Sequence, residues 1–193
     1  MNNFIPVDLQ DPDLSSNIEK VIMKHPKLFL HIGSEICFMN NSDTQIFSAF
    51  KPLINAVNKI CDWSDVNSIL FFNFNPGYEL IHRDGDREVN GYESWALNIP
   101  VLNCADTYTV FYEELPGATP DEGFLPGEAT VGYTSWQPHQ VKEIERMYFT
   151  QPVLFNVSSI HGVYNPTNSP RLSLSLRFKC DVVEKYKISN NIS

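Results

Sequence analysis

Arg171-Leu172-Ser173-Leu174-Ser175-Leu176-Arg177-Phe178 alternates polar and apolar residues without a break. Successive side chains of an extended strand point to opposite faces, so the period of two divides this stretch cleanly. Leu172, Leu174, Leu176 and Phe178 share one surface, and Arg171, Ser173, Ser175 and Arg177 share the other. The ordinary arrangement sends the apolar face to a core and the polar face to water. This polar face, however, holds two arginines and two hydroxyls, with no Lys or Glu. Planar guanidinium forks with hydroxyl donors between them are a set that holds a carboxylate. On that second reading the leucines pack against a scaffold and the arginines face an anionic small molecule.

Upstream of this strand, from residue 68 onward, the text consists of short β runs broken by turn signals. Further strands are expected near residues 69–74, 78–82, 94–101, 107–113, 128–135, 141–149, 152–157 and 162–164. Asn75-Pro76-Gly77 is a turn, and residues 115–127, with three Pro and three Gly, are expected to form a loop long enough to act as a lid. The N-terminal third differs. After a short opening strand at residues 4–9, a helix is expected at 16–24, capped by Asp13 or Ser15 and stopped by His25-Pro26. A β-leaning run follows at 28–38. Asn40-Asn41-Ser42-Asp43 then opens a second helix, with apolar positions at three- and four-residue steps to Ile60 and a kink or restart at Pro52. The tail from Lys187 is expected to fray. The fold expectation is mainly β with some α: one domain over 1–193, with helical support and first strands in 1–67. Residues 68–180 would form a sandwich or jelly roll carrying the site.

The chain has 193 residues, 13 Phe, 8 Tyr and 3 Trp, and 19% charged residues, the composition of a folded protein with a sizeable core. A net charge of -9 argues against a polyanionic partner such as nucleic acid. Cys37, Cys61, Cys104 and Cys180 are far apart in the text and form no zinc spacing, so reduced thiols are expected. No run approaches the ~20 apolar residues needed to span a bilayer. The N-terminus shows no secretory pattern, and the expectation is a cytoplasmic protein.

Chemistry enters at Leu80-Ile81-His82-Arg83-Asp84-Gly85-Asp86. Two residues apart on a strand, His82 and Asp84 project from the same face, where an imidazole and a carboxylate suit a borderline divalent metal. A third donor is offered by His161, which follows one β run and opens another. Together the three would form a face of two imidazoles and one carboxylate with open positions opposite. His31, within an apolar run, reads as a packing residue, and His139 sits in a Pro-broken segment without a partner at ligand spacing. Asn98 is an amide on what should be a buried strand, and must bond either backbone or a ligand. Arg83 and Asp86 flank the metal pair and face either solvent or the substrate mouth. Tyr108 and Tyr112 either line the pocket or belong to the core.

These motifs, in this order, resemble the Fe(II)- and 2-oxoglutarate-dependent oxygenases. The similarity runs from about Phe72 to Phe178 and includes Asn73-Phe74-Asn75-Pro76-Gly77, Ala96-Leu97-Asn98-Ile99-Pro100 and Phe155-Asn156-Val157. The resemblance implies a double-stranded β-helix. It implies His82, Asp84 and His161 as Fe(II) ligands, and Arg171 and Ser173 as the residues holding the distal carboxylate of 2-oxoglutarate; the ligand that Asn98 would bond is then this cofactor or the substrate. It also implies consumption of O2, release of succinate and CO2, and hydroxylation or a related oxidation of an amino acid, a peptide or a small metabolite. Arg83, Tyr108 and Tyr112 are the substrate-contact candidates. Halogenating relatives lack the acid that Asp84 supplies. The Arg-x-Ser-x-Ser-x-Arg run is spaced like the Arg-x-Asn-x-Thr-x-Arg of the nucleic-acid demethylating branch, but the gap from His161 to Arg171 is shorter than in that branch. The rivals are a cupin-like binding jelly roll and an inactive relative.

Overall fold

Two antiparallel sheets face one another, and the chain crosses repeatedly between them. The structure is a computed structural model describing residues 3–24, 36–40, 50–78, 80–85, 93–125 and 131–192. The strands in chain order are β1 (Phe4–Pro6), β2 (Ile36–Asn40), β3 (Val66–Phe74), β4 (Gly77–Tyr78), β5 (Ile81–Asp84), β6 (Trp95–Leu102), β7 (Tyr108–Glu114), β8 (Asp121–Leu125), β9 (Val131–Trp136), β10 (Val141–Tyr148), β11 (Val153–Asn156), β12 (His161–Asn165) and β13 (Arg171–Phe178). Three α-helices, α1 (Leu14–Lys24), α2 (Lys51–Val57) and α3 (Val182–Ser189), and two 3-10 turns, Trp63–Asp65 and Pro138–Gln140, complete the described elements. The first sheet runs β1-β11-β6-β13-β3-β2. The second runs β10-β7-β12-β5-β9-β8, with β4 beside β12. From β5 to β7 and again from β11 to β13 the chain alternates between the sheets, which is the jelly-roll path expected from the sequence.

β13 is central in the first sheet, between β6 and β3, and that position buries both of its faces. Leu174, Leu176 and Phe178 join Ile69, Phe71, Leu97 and Ile99 in a core that also takes Leu14 and Ile18 of α1, Leu53 and Val57 of α2, and Val182 and Tyr186 of α3. The amphipathic stripes of the helices thus cover the outer face of this sheet. Between the sheets, one end is closed by Ala96, Val153 and Phe155 against Phe111, Met147 and Phe149.

Several boundaries differ from the sequence expectation. Residues 121–125 of the expected lid form β8, paired along β9, because an open edge satisfies their amides despite poor strand propensity. The expected strand at 78–82 is two strands, and the second carries both His82 and Asp84. The tail does not fray at Lys187: α3 extends to Ser189, capped where the Asp181 carboxylate accepts from the Glu184 amide at 3.0 Å and anchored by buried Val182 and Tyr186. Pro52 lies in the first turn of α2, where its missing amide costs nothing. His31, Asp86 and the expected helix segment before residue 50 lie outside the described residues. Among the described residues, no helix is long and apolar enough to cross a membrane.

Candidate metal centre

β5 is four residues long, and its inward side chains are His82 and Asp84. β12 pairs with β5 so that His161 lies opposite His82, and pairs with β7 so that His161 also lies opposite Phe111. Directly paired residues share a face, so the three donors converge between the sheets. One ligand atom from each of His82, Asp84 and His161 lies within 4.8 Å of the others. The two imidazole centroids are 4.4 Å apart.

The backbone orients the rings. Nδ1 of His82 bonds the Leu80 carbonyl at 2.8 Å, and Nδ1 of His161 bonds the Ser159 carbonyl at 2.8 Å. A carbonyl only accepts, so each Nδ1 carries a proton, and the tautomer this selects is the one that offers Nε2 to a metal. The Phe155 ring meets His161 edge-on at 4.8 Å. The Asp84 amide donates to the Val157 carbonyl at 2.9 Å, and the Gly85 amide donates to Gly132 at 2.7 Å, which pins the end of β5.

Asp84 is 6% exposed. Its Oδ2 receives Nη2 of Arg177 at 2.8 Å, while Oδ1 stands 3.6 Å from Nε2 of His82. Burial alone would raise this carboxyl, but the Arg177 guanidinium and His82 outweigh it and hold Asp84 well below the usual carboxylate range. Burial, reinforced by His82, pushes His161 down from its ordinary 6.5 to about 3, although the Asp84 charge opposes the shift. Near neutral pH, Asp84 is thus ionised and His161 neutral, the protonation states a divalent ion needs from these ligands.

Arg171, at the start of the β13 polar face, is 4% exposed. Its guanidinium donates to Thr107 Oγ1 at 3.3 Å and to Ser173 Oγ at 3.4 Å, and lies 5.0 Å from the Phe149 ring and 5.3 Å from that of Phe74. The rings fix the plane of the fork, and its bonds to the two hydroxyls are long for N–H···O. Further along β13, Ser175 pairs with Asn98 of β6. Ser175 Oγ and Asn98 Oδ1 are buried without a hydrogen-bond partner among the described residues. The polar face of β13 therefore turns inward rather than to water, with Arg171 at one end and Arg177, bound to Asp84, at the other.

The substrate-contact candidates lie on the other side of their strands from the histidines. Arg83 is exposed on the outer side of β5, its guanidinium 5.6 Å from the Trp136 ring centre. Tyr112 packs with Ile81 and Trp136 on the same outer side. Tyr108 joins Tyr148 and Tyr164 outside the sheet, under Arg146 at 4.4 Å. The cause is parity: Phe111 faces inward opposite His161, so even-numbered residues of β7 face outward. His139 is exposed in a 3-10 turn at Pro138–Gln140.

Sequence reasoning assigned no role to Arg177, although its place on the polar face was legible. Thr107 and Tyr133 carried no signal. Tyr133 lies opposite Asp84 in the β5–β9 register, its ring 6.3 Å from that of His82. It crosses directly over Gly123 of β8, where an added Cβ would come within 2.6 Å of the Tyr133 hydroxyl. Gly123 is thus what allows the ring to lie there.

These features define a jelly-roll protein with a His-Asp-His cluster, buried at Asp84 and His161 and partly open at His82, that could hold a metal ion. No family model matches the chain, and no curated protein does. Among solved structures, it is similar to a prolyl-4-hydroxylase from Pseudomonas putida, at 13% identity and a TM-score of 0.44, over 94% of this chain and 88% of that one. It is also similar to oxalate decarboxylase from Bacillus subtilis, at 11% identity and a TM-score of 0.33, over 76% of this chain and 25% of that one. A third likeness is to the capsular polysaccharide assembling protein CapF from Staphylococcus aureus, at 6% identity and a TM-score of 0.27, over 58% of this chain and 22% of that one. The chain thus spans about a quarter of the decarboxylase. Likenesses at this level assign no activity, metal or substrate here.

Proposed function

We propose that the chain is an Fe(II)- and 2-oxoglutarate-dependent oxygenase that hydroxylates, or oxidises in a related way, an amino acid, a peptide or a small metabolite. The observation that carries this reading is the buried polar face of β13 beside the His82–Asp84–His161 cluster. A protein interior does not keep unpartnered polar atoms such as Ser175 Oγ and Asn98 Oδ1 without cause. A dicarboxylate fits these surroundings. Arg171, steadied by Phe74 and Phe149, would take the distal carboxylate with Ser173 and Thr107, and Asn98 and Ser175 supply polar atoms between that end and the metal ligands. His82, Asp84 and His161 would hold Fe(II) on one side, leaving open positions for the co-substrate and O2.

Bound iron supplies the oxidising chemistry, coupled to decarboxylation of 2-oxoglutarate to succinate and CO2. The chain's residues orient and insulate. Arg177 holds one carboxylate oxygen of Asp84, so that the other remains a single, directed ligand atom. The Leu80 and Ser159 carbonyls, by accepting from Nδ1, turn both Nε2 atoms toward the ion. Phe155, Phe111 and Phe149 exclude water from the closed end.

The test is anaerobic titration of the apoprotein with Fe(II) and then 2-oxoglutarate. The expected result is the weak visible metal-to-ligand charge-transfer band of a bidentate 2-oxo acid. Arg171→Ala is expected to raise the 2-oxoglutarate requirement at least about thirtyfold, since a buried charge-assisted bond is worth roughly 2–3 kcal/mol. Iron binding with no such band at saturating 2-oxoglutarate refutes the reading and leaves a binding jelly roll. Succinate release across amino acids, peptides and metabolites then identifies the substrate class.

A further inference from the structure

We propose a second metal site, for a thiophilic divalent cation such as Zn2+, formed by Cys61, Asp65 and Cys180 on the far side of β13 from the histidines. The two cysteines are 119 residues apart in the chain, yet one ligand atom from each of the three residues lies within 4.8 Å of the others. Cys61 stands in the turn after α2, where its amide donates to the Val57 carbonyl at 3.0 Å. Asp65 ends the 3-10 turn Trp63–Asp65, whose Asp62 cap accepts from the Ser64 amide at 2.8 Å. Cys180 sits between β13 and α3. The Lys179 amide donates to the Asp65 carbonyl at 2.8 Å, tying that junction to the 3-10 turn. The donors are therefore held by backbone rather than meeting by side-chain reach alone.

Charge and access also suit a cation. Two thiolates and one carboxylate carry -3, which a dication and the Lys185 ammonium, 2.7 Å from Asp65 Oδ2, together neutralise. Lys185 engages Oδ2 and leaves Oδ1 for the metal. Cys61 is buried, while Asp65 and Cys180 are partly exposed, so an ion can enter from solvent and keep a water as its fourth ligand. A bound dication displaces the thiol protons directly. The site would clip α3 onto the turn that leads into β3, a structural role separate from the chemistry between the sheets.

The experiment is Co(II) titration of the reduced, metal-free full chain. Thiolate-to-Co(II) charge transfer in the near ultraviolet arises only from sulfur ligands, so the readout does not see the histidine cluster. The band is expected in the wild type, in Cys104→Ser and in His82→Ala. It is expected to be lost in Cys61→Ser and in Cys180→Ser, and bleached by Zn2+. X-ray absorption of Zn2+-loaded His82→Ala is expected to count two sulfur ligands, a result that needs no cysteine variant to fold. The proposal is overturned by a wild type without the band, by a band that survives Cys180→Ser, or by zinc without sulfur. A chain that gives no band after reduction but forms a Cys61–Cys180 disulfide with peroxide is a thiol pair, which also overturns it.

Discussion

The two faces of β13 are equally hidden from water and differ in what they meet. Leu174 and Leu176 are 0% exposed in a helix-covered core, while Ser175 and Arg177, on the alternate positions, are 1% and 5% exposed between the sheets. The apolar face is filled by protein. Among the described residues, the polar face leaves Ser175 Oγ without a partner and turns Arg177 toward the Asp84 carboxylate. Burying polar groups lowers stability unless each is paired, so the inner face gives up folding free energy that the outer face supplies. The difference separates the scaffold side of the strand from its ligand side.

The largest expected effect breaks the inner face. Arg177→Met removes the guanidinium 2.8 Å from the buried Asp84 carboxylate and is expected to cost about 3–5 kcal/mol in urea unfolding of the metal-free chain. Part of that loss should return when a divalent ion loads the histidine cluster, since the ion replaces the missing positive charge. On the outer face, Leu174→Ala is expected to cost about 2–5 kcal/mol through lost transfer energy and a cavity, with metal uptake at the histidines unchanged. Equal losses of metal uptake in the two variants would erase the distinction between the faces.

Above the carboxylate range, acid should probe the inner face. His161 titrates near 3 when folded and near 6.5 when unfolded, so across that window the unfolded chain holds a proton that the folded chain lacks. Stability is then fully present above 6.5 and falls with decreasing pH toward 3, by at most about 1.4 kcal/mol per pH unit from this group. Asp84, also lowered, adds a further loss only below its ordinary 3.8. Denaturant midpoints at successive pH values check this, and His161→Phe should flatten the upper part of the curve. The smallest expected effect on stability is that of Ser175→Ala: about 0.5 kcal/mol or less, because the hydroxyl has no partner to lose. Its 2-oxoglutarate titration should nonetheless weaken. A large stability loss with an unchanged titration would make Ser175 part of the scaffold.

The alternation of residues 171–178 already separated leucine from arginine, and His82-x-Asp84 already placed two donors on one face. Parity within a strand is a local property and can be read from text. Which face turns inward is not local, so the sequence left two readings open for Arg83, Tyr108 and Tyr112, whose strands present other residues to the interior. β8 was missed because its stability comes from the edge of β9, and α3 because a single turn of apolar residues, Val182 and Tyr186, anchors it.

From the sequence alone follow the β-rich class, the helices with one apolar side, and the chemistry of the donors. Periodicity and functional-group identity belong to each segment before it meets any other. Tertiary structure alone decided that His161 lies opposite His82, that Arg177 reaches Asp84, and that Cys61 meets Cys180. Strand register and the docking of helix ends are settled by packing between segments distant in the chain, and no local pattern encodes that outcome.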